Sequence, residues 1–241
     1  MPRLDLLLAH NLGIGRAAVT RLLRSGRVLD IEGAPLHDGR TPIALEELPR
    51  PLVVDGAAIT LRARMDLLQH KPLGVVTALR DATHPTAYDL LEGAPLRAEL
   101  RAVGRLDLDS TGLLLWTTDG DLLHRLTHPR RAVPRTYHVA LGGPWRPVPP
   151  EFALADGHVP TIVALEARDA AQMHPGLVVP DTTRCFATIT LTSGRFHEVR
   201  RIFTELDSLV LGLCRVRYGD VVLPDDLAPG AWLPIDPPPA A

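Results

Sequence analysis

The sequence predicts an α+β protein with a small N-terminal module at residues 1–61 and a larger domain at residues 62–241. Three observations support this fold class. Helix-forming and strand-forming segments occur in both parts, glycine-containing turns separate them, and 46% of the residues are apolar, which is enough to bury a sizeable core.

The N-terminal module is expected to hold two short helices followed by short strands. Helical character begins at residues 4–8, breaks at residues 13–15 (GIG) and resumes from about Arg16 to Ser25, where Gly26 ends it. Short strands are predicted around residues 28–31, 42–44 and 58–61.

Four arginines are expected to share one face of the second helix. They are Arg16, Arg21, Arg24 and Arg27. At 100° per residue they fall within an arc of about 140°, provided that the helix continues to the last of them. A charged helix face is usually just solvated, but this one would also fit the phosphates of a nucleic acid. The face alone does not decide between the two interpretations.

The larger domain is predicted to combine several strands with two helices. The strands are predicted at residues 73–78, 113–117, 136–141, 162–167 and 186–191. Helices are predicted at residues 121–126 and 196–206, the second with apolar residues at helical spacing. Residues 144–150 contain four prolines and are expected to form a loop, and residues 236–241 a loose tail.

Composition excludes several classes of protein. Lysine and arginine total 26, aspartate and glutamate total 28, and the net charge of −2 excludes a uniformly basic nucleic-acid wrapper but not a local basic patch. Two cysteines are too few for a disulfide framework or a cysteine zinc site. No apolar run approaches a membrane span, and Asp5 interrupts the apolar N-terminus, so we expect a cytoplasmic protein without a signal peptide or membrane association.

The turn at residues 103–112 (VGRLDLDSTG) has the strongest chemical character, and an apolar strand follows it. Two glycines flank the charged residues, and such a turn can hold Asp107 at the mouth of a cleft beside Arg105. The ordinary alternative is a polar turn in which Asp109 and Ser110 bond their own backbone. Composition alone favours that alternative.

The same turn contains a D-x-D-x-T string at Asp107, Asp109 and Thr111. The string resembles the aspartyl-phosphate motif of haloacid-dehalogenase-like phosphatases, where the first Asp attacks phosphorus and the second protonates the leaving group. That motif should follow a buried strand, whereas residues 99–105 (ELRAVGR) precede it here. A magnesium-dependent phosphatase is therefore only a weak alternative.

Cationic and aromatic groups concentrate in three further segments. Residues 193–203 (SGRFHEVRRIF) carry four cations where a strand is expected to end and a helix to begin, which suits either surface ion pairs or a phosphate anchor. Residues 135–137 (RTY) start one strand, and residues 70–74 (HKPLG), with the only lysine of the chain, enter another. No phosphate-binding glycine loop, dinucleotide fingerprint or histidine metal spacing occurs, so ATP, NAD and zinc lack support.

Taken together, these segments resemble the RsuA/RluB/E/F family of pseudouridine synthases. The matching strings are K-P-x-G at residues 71–74, G-R-L-D-x-x-S-T-G-L at 104–113 with T-D-G at 118–120, R-T-Y at 135–137 and G-R-x-H-x-V-R-R at 194–201. Their order and spacing also fit. Residues 3–28 are similar to the alpha-L RNA-binding module that precedes the catalytic domain of this family, so the resemblance covers nearly the whole chain.

The resemblance implies a catalytic domain with a mixed, mostly antiparallel central sheet, which converts a uridine of folded ribosomal RNA to pseudouridine without a cofactor. Asp107 matches the essential aspartate of the family. Its carboxylate either attacks C1′ or removes the 2′ proton to give a glycal, and the freed uracil rejoins through C5. The target base must first leave the stack, which costs roughly a few kcal/mol.

Further roles follow from the resemblance, residue by residue. Tyr137 matches the tyrosine that packs on the uracil ring, and Arg200 matches the basic residue that pairs with the catalytic carboxylate. Arg105 is expected to contact the backbone of the flipped nucleotide, and Lys71 to support the site from its loop. The other expected contacts to RNA are Arg195, His197 and Arg201 in the catalytic domain and Arg16, Arg21, Arg24 and Arg27 in the module. No metal ligand is implied.

The chain departs from the family pattern in two places. Glu198 stands where Gln is usual and would put a negative charge near bound RNA, and Arg135 stands where Lys is common. Neither change removes an expected catalytic group.

Within the family, residues 84–86 (HPT), His197 and residues 227–230 (LAPG) are most similar to members that act on the 16S rRNA of the small subunit. We therefore expect a monomeric enzyme whose partner is 16S rRNA or a small-subunit assembly intermediate. The alternatives are a synthase acting on 23S rRNA and a non-catalytic rRNA-binding assembly factor, which the arginine face alone would suit.

Overall fold

The computed structural model describes residues 1–237, and these form two compact units. The first comprises residues 1–65, 92–101 and 117–119, and the second comprises residues 66–91, 102–116 and those from 120 onward. The domain boundary expected after residue 61 stays a prediction, since the first unit reaches Met65 and takes in two later segments.

The first unit packs two helices against a three-stranded antiparallel sheet. Its elements are α1 (Leu4–Leu12), α2 (Arg16–Arg24), β1 (Val28–Leu29), β2 (Arg50–Val54) and β3 (Ala57–Leu61). The buried side chains of α1 and α2, including Leu8, Val19 and Leu23, form one apolar core with Leu52 and Leu61 of the sheet. Burial of these side chains is what stabilises two helices that would be too short to persist alone.

Three details of the first unit differ from the prediction. Residues 42–44 form no strand, since Pro42 makes only an isolated bridge to Arg3. The strand β2 was not predicted. It contains Pro51, and a proline argues against a strand because it has no backbone N–H to donate to the neighbouring strand. Helix α2 ends at Arg24, and Gly26 adopts a φ of +66°, so Arg27 lies beyond the helix and the expected four-arginine helix face does not form.

The second unit is built on a nine-stranded sheet with helices packed against it. In chain order the strands are β4 (Asp66–Lys71), β5 (Arg101–Val103), β6 (Thr111–Thr117), β7 (Arg135–Leu141), β8 (Ile162–Arg168), β9 (Cys185–Leu191), β10 (Val210–Tyr218), β11 (Val221–Val222) and β12 (Trp232–Pro234). The helices are α3 (Gly120–Thr127) and α4 (Glu198–Glu205). The main strand order is β12-β4-β6-β10-β7-β9-β8, with β5 beside β6 and β11 beside β10.

The sheet is mixed and mostly antiparallel, as expected. β6 and β10 pair in parallel, whereas β10 with β7, β7 with β9, β9 with β8 and β12 with β4 are antiparallel. Two apolar cores flank it, one around α3 and one around α4. The predicted α+β class is therefore confirmed.

The first strand of this sheet lies earlier than predicted. Residues 73–78 form no strand, and β4 instead occupies residues 66–71 (DLLQHK), all six of them buried. Its polar groups have internal partners: the Gln69 amide donates to the carbonyl of Ala87 and accepts from the indole of Trp116. A rule based on apolar runs misses a strand whose polar side chains are satisfied inside the protein.

The central strand β10 was also not predicted. It is nine residues long and almost wholly buried, although it contains Gly212 and the buried Arg215. A Cβ at Gly212 would overlap the carbonyl of Val178, so glycine is required where another segment approaches closely.

The tail expected at residues 236–241 lies outside the described residues from 238 onward. Within residues 1–237, no helix is long and apolar enough to cross a membrane.

Candidate active site

A cleft of about 380 Å³ opens on the second unit, between residues 104–110 and residues 193–200, where the start of β7, the end of β9 and the middle of β10 also line it. Six of the residues predicted from the sequence line it: Arg105, Asp107, Tyr137, Arg195, His197 and Arg200. Its size falls within the range of roughly 300–1,000 Å³ that is typical of small-molecule sites. The cleft can therefore accept a group of nucleotide size.

Asp107 lies on the turn of residues 104–112, called here the Asp107 turn, which joins β5 to β6. Gly104 and Gly112 at its ends have φ angles of +72° and +107°, which favour glycine. A Cβ on Gly112 would lie 2.7 Å from the backbone nitrogen of Arg215 and closer still to its carbonyl oxygen, so the turn lies directly against β10. The side chain of Asp107 remains 30% exposed and faces the cleft.

Buried side chains hold the backbone of the Asp107 turn from beneath. The Lys71 ammonium donates to the carbonyl of Ser110 at 2.7 Å, and the Arg215 guanidinium donates to the carbonyls of Leu113 at 2.8 Å and Arg105 at 3.4 Å. Lys71 and Arg215 are 0% and 2% exposed. Two buried cations thus fix the turn on both sides of the carboxylate.

A neutral side chain completes this anchoring. The Thr77 hydroxyl donates to the carbonyl of Leu106 at 2.8 Å and accepts from the Leu106 backbone N–H at 3.0 Å. Both backbone groups next to Asp107 on its N-terminal side are therefore satisfied by one residue, so the turn has little freedom to move.

Lys71 supplies positive charge close to the Asp107 turn. Burial lowers the pKa of its ammonium to about 8, an effect that attraction to Asp107 and Asp109 opposes and repulsion from Arg215 reinforces. Lys71 holds the backbone of the Asp107 turn and does not line the cleft, which fits its expected supporting role.

The basic side chain in contact with Asp107 is that of His197 rather than that of Arg200. Nε2 of His197 lies 3.6 Å from Oδ1 of Asp107. Nη2 of Arg200 lies 3.0 Å from Oδ2 of Asp109 and also donates to the Asp109 carbonyl, while Nη1 donates to the carbonyl of Val210. The expected pairing of Arg200 with Asp107 is therefore not present, because these contacts turn the guanidinium toward the neighbouring carboxylate.

Tyr137 enters the cleft from β7. In the sheet it is paired with Arg215 of β10 on one side and with Ile189 of β9 on the other. Tyr137 and Arg215 are thus cross-strand neighbours, and both line the cleft. The Nη2 atom of Arg215 is buried and has no hydrogen-bond partner among the described residues.

The segment of residues 194–198, called here the Phe196 segment, forms the opposite wall. Its residues Arg195 and Phe196 are exposed, whereas Glu198 is buried. Oε1 of Glu198 lies 2.6 Å from Nε2 of His158, and Oε2 accepts the Arg195 backbone N–H at 3.1 Å. The expectation that Glu198 would place charge near RNA stays a prediction: the residue lines the cleft, but its carboxylate is buried and holds the segment together.

Not all of the arginines that were expected to contact RNA in this region are accessible to a ligand in the cleft. Arg201 pairs with Asp156 at 2.7 Å and does not line the cleft, whereas Arg195 and Arg105 are exposed on its walls. Only the last two are available to a ligand in the cleft without breaking an ion pair.

In the first unit, the four expected RNA-binding arginines fall into two groups. Arg16 pairs with Asp5 and Arg27 with Asp55. Arg21 and Arg24 are exposed on α2, and none of the hydrogen bonds or ion pairs within residues 1–237 engages their side chains. Of the four expected arginines, these two are free to contact phosphates without breaking an ion pair.

The geometry does not favour the phosphatase alternative. The Thr111 hydroxyl donates to the carbonyl of Gly176 and is buried, and Asp109 is engaged by Arg200. The strand before the turn, β5, has only three residues. Among residues 1–237, no group of three or more His, Cys, Asp or Glu side chains could hold a metal ion.

Sequence reasoning did not identify four features that shape this site: Thr77, Glu198 as an anchor, Phe196 and Arg215. Arg215 lies in the strand β10 that was not predicted, and Thr77 lies in a segment that was predicted as a strand. The hydrogen bonds of Thr77 and Arg215 join backbone groups far away in the sequence, which no local sequence motif encodes.

The fold and the site define the class of this protein. A sequence model described as RNA pseudouridylate synthase matches residues 67–205, which include the Asp107 turn, Tyr137 and the Phe196 segment. The chain belongs to this family of enzymes, and the resemblance inferred from its motifs is confirmed.

Relatives extend the similarity over the whole chain. It is 36% identical over 236 residues to the ribosomal small subunit pseudouridine synthase A of Yersinia pestis, which covers 97% of this chain and 94% of the relative. It is 36% identical over 240 residues to the protein of the same name from Pseudomonas aeruginosa, covering 97% and 96%. A crystal structure of a pseudouridylate synthase aligns with a TM-score of 0.57 at 29% identity and covers 98% of this chain and 96% of that one.

Proposed function

We propose that this enzyme converts one uridine of the 16S rRNA of the small ribosomal subunit to pseudouridine, without a cofactor and with Asp107 as the catalytic carboxylate. The observation that carries the proposal is the Asp107 turn: a partly exposed carboxylate at the mouth of a cleft, fixed through its backbone by Lys71 and Arg215. The names of the relatives support the small subunit as the source of the substrate.

The proposed reaction is balanced within one nucleotide. The C1′–N1 bond breaks, C1′ bonds to C5, the proton of C5 leaves and N1 takes up a proton, so no oxidant or reductant is consumed. A carboxylate beside C1′ serves this step either as a nucleophile or as the base that removes the 2′ proton. In both cases Asp107 must be held in place while the uracil turns, which the anchored turn provides.

The other residues of the cleft are proposed to bind and orient the flipped nucleotide. Tyr137 provides a ring face for the uracil, and His197 contacts the carboxylate from the opposite wall. Arg105 and Arg195 are exposed cations that suit the phosphates on either side of the target. Arg200 is proposed to act through Asp109, and Lys71 as a positioning residue beneath the turn.

In the first unit, we propose that residues 1–61 serve as an RNA-binding module of the alpha-L type and that Arg21 and Arg24 are its phosphate contacts. The exposure of these two side chains supports this role, whereas Arg16 and Arg27 would have to leave their ion pairs. We further propose that the enzyme acts as a cytoplasmic monomer without membrane association, in keeping with a ribosomal substrate.

The test is pseudouridine mapping after purified protein acts on a 16S transcript, on immature small subunits and, for comparison, on a 23S transcript. The proposal expects one new pseudouridine with wild-type protein and with Asp181→Asn, a control that removes an exposed carboxylate away from the cleft. Asp107→Ala should give none. Modification that survives Asp107→Ala, or that occurs only in 23S rRNA, would overturn the assignment.

A further inference from the structure

One exposed side chain on the cleft wall has no role in the proposed reaction. Phe196 is 72% exposed, and among the Phe, Tyr and Trp residues of the described chain, 1–237, it alone is exposed. Because aromatic rings are mostly buried, an exposed one at the wall of a cleft is a candidate contact for a ligand.

The ring is held in a defined orientation. It stacks on the imidazole of His197 with the ring centres 3.8 Å apart and the planes 18° from parallel. His197 itself adopts a φ of +50° and faces Asp107 with its Nε2 atom. One face of the phenyl ring is therefore covered by the imidazole, and the exposed fraction of the side chain leaves the other face open.

The backbone beneath the ring is fixed as well. Glu198 accepts the Arg195 backbone N–H and pairs with His158, so the Phe196 segment is held at its start and at its end. A stacking surface that is already ordered loses little conformational entropy when a base binds to it.

The charge around the ring indicates what it binds. Arg195 and Arg105 are exposed on the same cleft, and no second large apolar side chain is exposed within residues 194–198. A single exposed aromatic ring among arginines is typical of sites for single-stranded RNA, where bases stack on rings and cations contact the backbone. A protein partner would need a wider apolar patch than one ring.

We propose that the open face of Phe196 stacks on an unpaired nucleobase next to the target uridine, which makes Phe196 a binding residue for the flanking nucleotide. This inference rests on the proposed function, in which Tyr137 takes the target uracil, so that the base on Phe196 belongs to a neighbouring nucleotide. Because every base has a π face, the contact tolerates different bases at that position.

The experiment compares wild-type protein with Phe196→Ala, Phe196→Leu and Phe196→Tyr. The probe is the shortest 16S rRNA fragment that the wild-type protein retains in a filter assay, and a series of the same fragment carries an abasic site at each position beside the target. Phe196→Leu keeps apolar volume without a π face, and Phe196→Tyr keeps the ring. Val163→Ala is the control, because it shortens an exposed apolar side chain that does not line the cleft.

We expect Phe196→Ala and Phe196→Leu to raise Kd and KM roughly tenfold with kcat changed far less, and Phe196→Tyr and Val163→Ala to stay within about twofold. One abasic position should cost the wild type about the same factor and cost Phe196→Ala nothing further. Equal Kd values for the Phe196→Leu variant and the wild-type protein, or an abasic penalty that is unchanged in Phe196→Ala, would overturn the stacking role.

The outcomes separate this inference from the proposed function. Wild-type protein that binds the fragment and forms no pseudouridine contradicts the proposed function, while the Kd values still decide the role of Phe196. Normal conversion with no effect of any Phe196 substitution contradicts the stacking role alone. A wild-type protein that retains no 16S fragment contradicts both.

Discussion

The two walls of the cleft are held in different ways. The Asp107 turn is fixed from beneath by the buried Lys71 and Arg215 and by the partly buried Thr77, all of which bond its backbone and leave the carboxylate free. The Phe196 segment is fixed at its ends by one buried carboxylate, Glu198, and exposes its side chains. The difference fits the proposed roles, in which Asp107 on the first wall keeps a fixed position and the second wall contacts the RNA.

The largest loss of stability is expected from Gly112→Ala, a substitution in the first wall. The added Cβ would overlap the backbone of Arg215 at a φ of +107°, so we expect the free energy of unfolding to fall by about 4 kcal/mol or more. Gly157→Ala is the matched control, since its φ is +78° and its Cβ would meet nothing within 4 Å. Its cost should stay near 1–2 kcal/mol, roughly the left-handed penalty alone. Equal losses in chemical denaturation would show that β10 does not constrain the turn.

Removal of the buried lysine tests whether charge beneath the first wall supports the reaction. We expect Lys71→Met to lower kcat by about 10- to 100-fold, the worth of a charge-assisted hydrogen bond. In the wild type, kcat should also fall as the pH rises through about 8, where the pKa of Lys71 lies, and this alkaline limb should be missing in Lys71→Met.

Stability should respond to pH in the opposite direction at this residue. The pKa of Lys71 is lowered from 10.5 to about 8 by burial, so between these values the unfolded chain still holds a proton that the folded chain has released. The contribution of Lys71 to the free energy of unfolding therefore rises with pH across that window. Parallel loss of activity and of this contribution above pH 8 would contradict the assigned cause.

Substitutions in the second wall should have smaller effects on activity. Glu198→Ala removes both contacts of the segment, and we expect KM to rise about tenfold with a smaller change in kcat. Glu198→Gln keeps an acceptor for the Arg195 N–H and should remain within about threefold of the wild type. A Gln variant as impaired as the Ala variant would show that the charge matters rather than the hydrogen bonds.

The smallest effect is expected outside the cleft. Replacing Arg21 and Arg24 together by Gln should weaken RNA binding severalfold at physiological salt and reduce the slope of log Kd against log salt by about two, one for each phosphate contact. Arg130→Gln together with Arg184→Gln, two exposed arginines outside the module, provides a charge-matched control. An unchanged slope would show that α2 does not contact RNA.

The first wall could be located from the sequence, but not its supports. The string around Asp107 is local, since two glycines, the charged residues and the following apolar strand lie within one segment. Arg215 and Thr77 bond that segment from about 110 and 30 residues away along the chain, as the separations of their hydrogen bonds show. Such contacts depend on the order of strands in the sheet, which local patterns do not specify.

For the second wall, the sequence predicted the residue types but not the contacts that they make. Its cations were identified from the sequence, yet their partners were not: Arg200 bonds Asp109, Arg201 bonds Asp156, and Glu198 points inward to His158. A motif gives the residue types at a strand-to-helix junction, whereas the direction of each side chain depends on the left-handed backbone at His197 and on the loops packed around it.

The most direct test of the account is the single-turnover rate of pseudouridine formation by Asp107→Asn, measured beside its RNA affinity. The substitution removes the charge of the carboxylate and preserves its size. The account predicts a rate at least roughly a thousandfold below that of the wild type, with Kd within about twofold. A variant that keeps more than about a tenth of the wild-type rate would show that another group performs the reaction.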